Sequence, residues 1–263
     1  MLLEWYRPSR IVGPYLKAML RTCLRAASIN FLVSLTALAE IPQPFSVSYS
    51  LHTNGLKVGE SVRILEKEKT GRYVFRSESR SSGILKLFLN DHVIEKSTWL
   101  LSGEDIHPLR YIYRQSGSKN SVQTVRFDWR AKTIDNREDN KTWRLGLTPN
   151  LFDKLVYQIA IMRDLAAGKR ALAYQIVDGG EIKDYRFAYL GEEVVETPLG
   201  KIRAVRLERR KENNNSERST TFWCAIRWRY IPVRVDTTSR NGMLITALIE
   251  RASGIPETPG ATN

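Results

Sequence analysis

The sequence predicts a mainly β protein in which an antiparallel sheet is curved into a barrel, a half-barrel or a sandwich, with one helix near residues 151–166. Apolar and polar residues alternate with a period of two over most of the chain between residues 45 and 251, as in half-buried strands. Turn-forming Gly and Asn residues separate these runs. About a dozen short strands with regular turns and one helical segment are typical of sandwich and barrel folds.

The first half of the chain begins with the clearest alternation. Over residues 45–52, large apolar residues alternate with Ser and His, which predicts a half-buried strand. Asn54-Gly55 follows, and because both residues tolerate a positive φ angle, we predict a tight turn into a strand around Ile64. Further strands of this half are predicted at residues 73–77, 92–99, 111–114, 125–130 and 143–145.

One segment departs from the two-residue period. The apolar residues Leu151, Leu155 and Ile159 recur every fourth position, which predicts a helix. Asn150 is a suitable N-cap for this helix, and Gly168 is a suitable stop signal. We expect the helix to plug or to flank the sheet.

Strands resume after the helix. Asp178-Gly179-Gly180 predicts one hairpin turn, and Asn241-Gly242 predicts another near the C-terminus. Strands of this half are predicted at residues 171–177, 182–190, 202–210, 220–225, 232–237 and 243–251.

The predicted strands follow one another without a linker. We therefore expect one β domain over residues 40–252, followed by a flexible tail at residues 253–263. A division into two domains near residue 150 is the alternative. A chain of this length with 42% hydrophobic residues can bury a core of its own.

The first 39 residues have the pattern of a removable export signal. Two arginines precede an apolar, uncharged stretch at residues 26–39, which ends in the small-x-small pattern Ala37-Leu38-Ala39. This stretch is shorter than the roughly 20 apolar residues that a bilayer span needs. We predict cleavage after Ala39 and a periplasmic mature protein without a transmembrane span, and initiation at Met19 would give a leader of ordinary length. An N-terminal anchor that stays uncut is the alternative.

The chain is basic, with a formal net charge of +13. The leader holds five basic residues and one acidic residue, so nine net positive charges remain after its removal. A basic exported protein can bind anionic lipid headgroups or polysaccharide, although the charge also serves solubility. We expect no nucleic-acid partner, because the basic residues are interleaved with acidic ones and export removes that partner.

The sequence predicts no metal site, no cofactor and no nucleophilic catalytic residue. His52, His92 and His107 are widely spaced on different predicted strands, whereas a metal needs converging ligands. Cys23 leaves with the leader, so Cys224 is the one thiol of the mature chain, and its place on a predicted strand indicates burial. No glycine loop of the phosphate-binding type is found.

Asp128 is the candidate for acid–base chemistry by a carboxylate. It lies between Phe127 and Trp129 on a predicted strand, so that its side chain points away from both rings. We expect it to form an ion pair with an arginine of a neighbouring strand, either Arg114 or Arg144.

Aromatic residues supply the candidate ligand-binding positions. Two aromatic pairs share a strand face in the predicted sheet, and a basic aromatic cluster lies near residue 230. Such rows either form a packed core or line an apolar cavity, and both interpretations stay open. The candidate ligand-binding residues are Tyr111, Tyr113, Phe127, Trp129, Trp223, Trp228 and Arg234.

Several short motifs in a fixed order resemble the bacterial DUF3108 family, a group of exported β-rich proteins of unknown function. The resemblance covers residues 44–250 and implies the fold and the compartment, but no catalytic residue. Ile231 and Cys224 stand where the family pattern has Leu, and both keep the apolar character. The motifs are Tyr49 with Gly59, Phe127-Asp128-Trp129, Glu196-Thr197-Pro198-Leu199-Gly200, Trp223-Cys224-Ala225, Ile231-Pro232-Val233-Arg234-Val235, Asn241-Gly242 and Leu248.

These observations favour a non-catalytic, envelope-associated binding or interaction protein, which holds a lipid-like or glycan ligand in an aromatic-lined cavity. One alternative is a carboxylate-dependent hydrolase of the cell envelope, which requires a second acid beside Asp128 in a cleft. The other is a structural protein that docks onto an envelope protein through an exposed sheet edge.

Overall fold

A computed structural model describes residues 41–82, 91–209, 219–238 and 242–255. Within these ranges the chain forms one 15-stranded sheet and one α-helix. The predicted leader and most of the predicted tail lie outside the described residues. None of the described helical residues forms a segment with the length and hydropathy that a membrane span requires.

The strands of the first half form a meander in which each strand pairs with the next one along the chain. These strands are β1 (Phe45–Thr53), β2 (Leu56–Lys67), β3 (Tyr73–Ser81), β4 (His92–Ser102), β5 (Asp105–Ser116), β6 (Ser121–Asp128), β7 (Thr133–Glu138) and β8 (Lys141–Gly146).

The second half repeats this pattern after a short strand and the helix. Its elements are β9 (Leu151–Phe152), α1 (Tyr157–Ala166), β10 (Leu172–Asp178), β11 (Glu181–Thr197), β12 (Gly200–Arg209), β13 (Ser219–Ala225), a short 3₁₀ helix (Ile226–Trp228), β14 (Ile231–Thr238) and β15 (Leu244–Ser253).

The two halves join because β1 pairs with both β2 and β15. The resulting order runs from β8 through β1 and β15 to β9, and all neighbours are antiparallel except β9 and β10. The sheet is large, curved and unclosed, with β8 and β9 at its ends. The predicted mainly β class with a curved antiparallel sheet and one helix is confirmed. Two strands, β7 and β9, were not predicted.

The helix begins later than predicted. Leu151 and Phe152 form β9, and Asn150 adopts a φ angle of 59° and does not cap α1. Asp153 supplies the polar cap instead, because its Oδ1 accepts hydrogen bonds from the backbone N–H groups of Leu155 and Val156 at 2.9 and 2.8 Å.

The predicted stop at Gly168 is confirmed. The N–H of Gly168 donates to the carbonyl of Leu165 at 2.9 Å, and the N–H of Lys169 donates to that of Asp164 at 2.9 Å. This pair of bonds is the Schellman arrangement. It favours glycine, because Gly168 has a φ angle of +77° and no Cβ atom to clash at this angle.

The helix plugs the concave side of the sheet. Every residue from Tyr157 to Leu165 is buried, so α1 has no solvent-facing stripe. Hydrogen bonds tie it to both halves: Arg63 of β2 donates to Gln158 at 2.8 Å, and Tyr174 of β10 donates to Asp164 at 3.0 Å. Each large apolar side chain buried in this way stabilises the fold by about 1.5–3 kcal/mol.

A tryptophan of the edge strand β8 reaches the other half of the sheet. The ring of Trp143 packs so closely on Gly180, in the β10–β11 turn, that a Cβ atom there would lie 2.4 Å from Cδ2 of the ring. Gly180 also has a φ angle of +81°. The contact therefore needs glycine for two independent reasons and links the two halves where backbone pairing does not.

Candidate functional site

A row of mostly polar side chains crosses five neighbouring strands on the concave face of the sheet. The row consists of Arg63, Ser77, Glu95, Tyr113 and Gln123, one from each of β2 to β6. The row points inward, because Glu95 accepts a hydrogen bond at 2.6 Å on its Oε1 from the hydroxyl of Tyr111, a fully buried residue. Charged groups on this row therefore face the interior rather than the outer surface.

The opposite wall comes from α1, β11 and β12. The rings of Tyr157 and Tyr185 meet edge to face with centroids 5.6 Å apart. The guanidinium carbon of Arg209 lies 4.5 Å from the centroid of the Tyr185 ring, a cation–π distance. We name the combined set the concave polar site. Its members are Arg63, Glu95, Tyr113, Lys154, Tyr157, Tyr185 and Arg209.

The electrostatics of Tyr157 show that both walls converge on its phenol. Burial raises the pKa of Tyr157 well above its ordinary value, and Tyr185 adds to the rise, while the positive charges of Arg209 and Arg63 act in the opposite direction. Arg63 comes from the first half of the chain and Arg209 from the second. The phenol stays protonated and keeps its hydrogen-bond donor.

Lys154 connects the row to the β10–β11 hairpin. Its Nζ lies 5.3 Å from the centroid of the Tyr113 ring and 3.0 Å from Oδ1 of Asp178. Lys183 binds the second oxygen of the same carboxylate at 3.0 Å. Burial alone would raise the pKa of Asp178, but Lys154 and Lys183 together bring it below its ordinary value. Asp178 is therefore a charged partner for both lysines.

The residue that precedes Lys154 carries a buried carboxyl group. Asp153 is fully buried, and its Oδ2 lies 2.6 Å from Oγ of Ser97. Burial raises the pKa of Asp153 to about 6, although the bonds from Ser97 and from two backbone N–H groups oppose the rise. Since the unfolded carboxyl ionises near pH 3.8, the folded state binds the proton more tightly. The tighter proton binding stabilises the folded state in full below pH 3.8, and this stabilisation is lost as the pH rises through about 6.

The arrangement suits binding more than proton transfer. Its guanidinium, ammonium and phenol groups are donors that match phosphate, carboxylate or sugar oxygens. The nearby carboxylates already have partners: Tyr111 for Glu95, two lysines for Asp178, and Ser97 with backbone N–H groups for Asp153. A concave surface with aromatic rings and a few converging polar groups is the usual form of a ligand site.

One of the predicted ligand-binding residues belongs to this site, and two lie in the adjacent core. Tyr113 is a half-buried member of the site, and Tyr111 lies beneath it as the donor to Glu95. Phe127 is buried in the hydrophobic core. The structure thus supports the packed-core interpretation for Tyr111 and Phe127.

The other four predicted residues lie elsewhere. Trp129 does not share a strand face with Phe127, because it follows the end of β6, where it stacks on His107 at 3.8 Å and donates to the carbonyl of Pro108 at 2.7 Å. Trp228, in the 3₁₀ helix, packs against the core from its rim.

Trp223 and Arg234 form a separate stack on neighbouring strands. The guanidinium carbon of Arg234 lies 4.6 Å from the centroid of the Trp223 ring, and that of Arg206 lies 5.4 Å from the same ring. Arg234 also pairs with both carboxylate oxygens of Asp236, at 2.9 and 2.7 Å, and the indole N–H of Trp223 donates to Glu193. This stack is not part of the concave polar site.

The predicted ion pair of Asp128 is wrong. Asp128 is exposed, and its Oδ1 accepts the backbone N–H of Ala131 at 2.8 Å in the turn after β6. Arg144 pairs with Asp135 instead, at 3.1 Å. Short polar side chains often bind the backbone of their own turn, and this local bond satisfies Asp128 without an arginine.

Two of the three histidines and Cys224 contact neighbouring side chains or are buried in the core. His92 contacts Glu78 at 2.8 Å, and His107 stacks on Trp129. Cys224 is fully buried, as predicted, and burial raises the pKa of its thiol. Within the described ranges, no three His, Cys, Asp or Glu side chains are grouped so that they could hold a metal ion.

Most of the concave polar site was missed from the sequence. Arg63 and Glu95 occupy inward positions of alternating strands, and a charge at an inward position is the signal that could have marked them. Tyr157, on a helix with buried residues all around, resembles ordinary core.

The family comparison fits this architecture. The model of the family described as "Protein of unknown function (DUF3108)" matches residues 45–249, more than three quarters of the chain. The chain belongs to the DUF3108 family. All seven residues of the concave polar site lie within the matched region of this DUF3108 member.

A solved structure shares the fold. It is the crystal structure of a "Beta-barrel-like Protein of Domain of Unknown Function DUF1849 from Brucella abortus", with a TM-score of 0.54 and 10% sequence identity over 84% of this chain and 100% of the other. At this identity the likeness concerns the fold alone. A search of the curated proteins finds no match to this DUF3108 member.

Proposed function

We propose that this chain is a periplasmic, envelope-associated and non-catalytic binding protein, which holds a negatively charged lipid-like or glycan ligand at the concave polar site. The observation that carries the proposal is that guanidinium groups from opposite walls approach the tyrosines of the site. Arg209 lies 4.5 Å from the centroid of the Tyr185 ring. From the other wall, Arg63 donates to Gln158, the neighbour of Tyr157, at 2.8 Å. Guanidinium groups bind phosphate and carboxylate oxygens, while aromatic faces pack on sugar rings or acyl chains.

The helix α1 limits what such a ligand can occupy. It fills the concave side beneath Tyr157 with buried residues, including Ile159 and Leu165. A long acyl chain would have to displace this packing, at a cost of several kcal/mol. The proposal therefore concerns the polar part of the ligand, held at the mouth of the sheet, rather than a whole lipid enclosed in a cavity.

Export rests on the apolar stretch at residues 26–39 and its Ala37-Leu38-Ala39 ending. The proposal that the protein is non-catalytic is supported by the carboxylates around the site, because each of them already has a hydrogen-bond or ion-pair partner. The hydrolase alternative has weaker support, since Asp128 is exposed in a turn.

Edge docking also has weaker support. The edge strand β8 is only six residues long and carries Lys141 and Arg144, both of which oppose strand addition. The other edge strand, β9, has only two residues.

Native mass spectrometry of the full chain purified from a bacterial envelope fraction tests the proposal. We expect a co-purified mass, and we expect added phosphatidylglycerol micelles or oligogalacturonate, tested separately, to compete for it. The double substitution Arg63→Gln and Arg209→Gln should remove the bound mass. The matched control, Arg203→Gln with Arg186→Gln, removes the same charge from exposed positions of β12 and β11 and should retain it.

The two probes separate a lipid headgroup from an acidic glycan as the source of the charge. Equal binding by the Arg63/Arg209 variant and the control variant, or the absence of any bound mass and of binding to either probe, would contradict the proposal.

A further inference from the structure

The outer face of β3 to β7 carries six basic side chains without acidic partners among the described residues. Five of these six side chains are exposed and one is half-buried. None of the six forms a salt bridge with a carboxylate of the described residues. We name this set the arginine face. Its members are Arg76, Lys96, Arg110, Arg114, Arg126 and Arg137.

The register sets like charges directly opposite each other on this face. Arg76 is paired with Lys96 between β3 and β4, and Arg110 is paired with Arg126 between β5 and β6. Like charges at directly opposed positions destabilise a sheet. Two such pairs on one face make it a strong site of unbalanced positive charge.

The acids on the same face are already engaged. Asp135 faces Arg126 in the register, but its carboxylate binds Arg144 at 3.1 Å. Glu78 contacts Arg80 and His92. The third acid, Asp128, uses its Oδ1 to accept the backbone N–H of Ala131 at 2.8 Å. None of the three therefore forms a salt bridge with a member of the arginine face.

The other half of the sheet shows the opposite design. On β11 to β14, Arg203 pairs with Glu192 at 2.8 Å and Arg234 with Asp236 at 2.7 Å. Arg206 lies 3.8 Å from Glu193. These three arginines thus have carboxylate partners, whereas the six members of the arginine face have none among the described residues, so overall basicity alone does not account for the arginine face.

The shape of the face fits an anion. A groove of ≈ 310 Å³ is lined by Arg110, Arg126 and Arg137, with Thr124 as an additional donor. Asp135 also lines this groove, and its carboxylate binds Arg144 at 3.1 Å. Three guanidinium groups and a hydroxyl around one depression match the oxygens of a phosphate group.

Apolar side chains lie among the charges. Val122 is 48% exposed and Ile94 is 36% exposed, and the register places Arg114 directly between them. A broad field of cations with interspersed apolar side chains is characteristic of proteins that rest on anionic bilayers. A linear polyanion would need a continuous track of charge, whereas here the charges spread over five strands.

We propose that the arginine face docks on the surface of an anionic phospholipid bilayer, with lipid phosphates in the groove between Arg110, Arg126 and Arg137. This surface lies on the outside of the sheet, and the inference does not depend on the concave polar site. Attachment leaves the mouth of the concave side available to a ligand.

Vesicle co-sedimentation of the full chain tests the inference. We expect binding to vesicles of phosphatidylcholine mixed with phosphatidylglycerol in equal parts, no binding to phosphatidylcholine alone, and weakening as salt is added. Arg110→Gln with Arg126→Gln should weaken binding roughly 30-fold, about fivefold for each charge removed. Because the change relieves a like-charge pair, the melting temperature of this variant should not fall.

One control carries the same loss of charge. Arg203→Gln with Arg186→Gln, on the other half of the sheet, should retain vesicle binding. Equal weakening in the two double variants would reduce the effect to net charge and overturn the proposal.

Two further results would also overturn the proposal. One is displacement from vesicles by inorganic phosphate at a matched anion concentration, which would identify a free phosphate site. The other is stronger binding to polygalacturonate than to vesicles, which would identify an acidic polysaccharide as the partner.

Discussion

Replacing Gly180 by alanine should destabilise the protein by about 2–5 kcal/mol. A residue with a Cβ atom at a φ angle of +81° loses roughly 1–2 kcal/mol to backbone strain. The new Cβ would also lie 2.4 Å from atoms of the Trp143 ring, so the ring must move, and such overpacking costs about 1–3 kcal/mol.

Gly179 provides a matched control in the same turn. Its φ angle is +65°, and nothing lies within 4 Å of a Cβ atom built there. Gly179→Ala should therefore carry only the backbone strain of roughly 1–2 kcal/mol. The difference between the two alanine variants isolates the contact with Trp143.

Urea unfolding monitored by circular dichroism gives both free energies. In a Trp143→Ala background the ring is absent, and the two alanine variants should then unfold at the same urea concentration. If they already coincide with Trp143 present, the ring does not pack on the hairpin, and the link between β8 and the second half of the sheet is wrong.

Three further perturbations test the interior. Urea titrations at each pH should show that Asp153→Asn removes most of the fall in unfolding free energy between about pH 4 and pH 6, an effect on the order of 3 kcal/mol. The control Asp128→Asn, in an exposed turn, should leave this pH profile unchanged. Ile159→Ala, at a fully buried position of α1, should cost about 2–5 kcal/mol in urea unfolding, whereas Ile182→Ala, at a 37% exposed position, should cost less than about 1 kcal/mol; equal costs would contradict the plug. Cys224 should react with a thiol reagent only after unfolding, and rapid labelling of this residue in the native chain would contradict its burial.

The strands with strong alternation were predictable from the sequence, and the weak ones were not. β7 was missed because its inward residues are Ile134 and Asn136, so that a buried amide takes the place of a second apolar residue. The start of α1 was misplaced because Leu151, at position i of the apolar period, belongs to β9. A four-residue spacing does not distinguish a helix from a short strand followed by a turn.

The concave polar site was less predictable because it depends on register and on curvature. Arg63 and Glu95 are neighbours only through the pairing of β2, β3 and β4. Tyr157 comes from a helix in the other half of the chain, where its neighbour Gln158 contacts Arg63. Alternation shows that a side chain points inward, but it carries no information about which inward residues meet.

The helix connects the incomplete sheet to the candidate site. The sheet cannot complete its core by pairing β8 with β9, since β9 offers two residues and already pairs with β10. The apolar side chains of α1 fill the interior instead, and the same helix presents Tyr157 to the concave polar site. Because one rigid element serves both purposes, the position of the phenol is fixed by core packing rather than by a loop, and a bound ligand would meet a preformed donor.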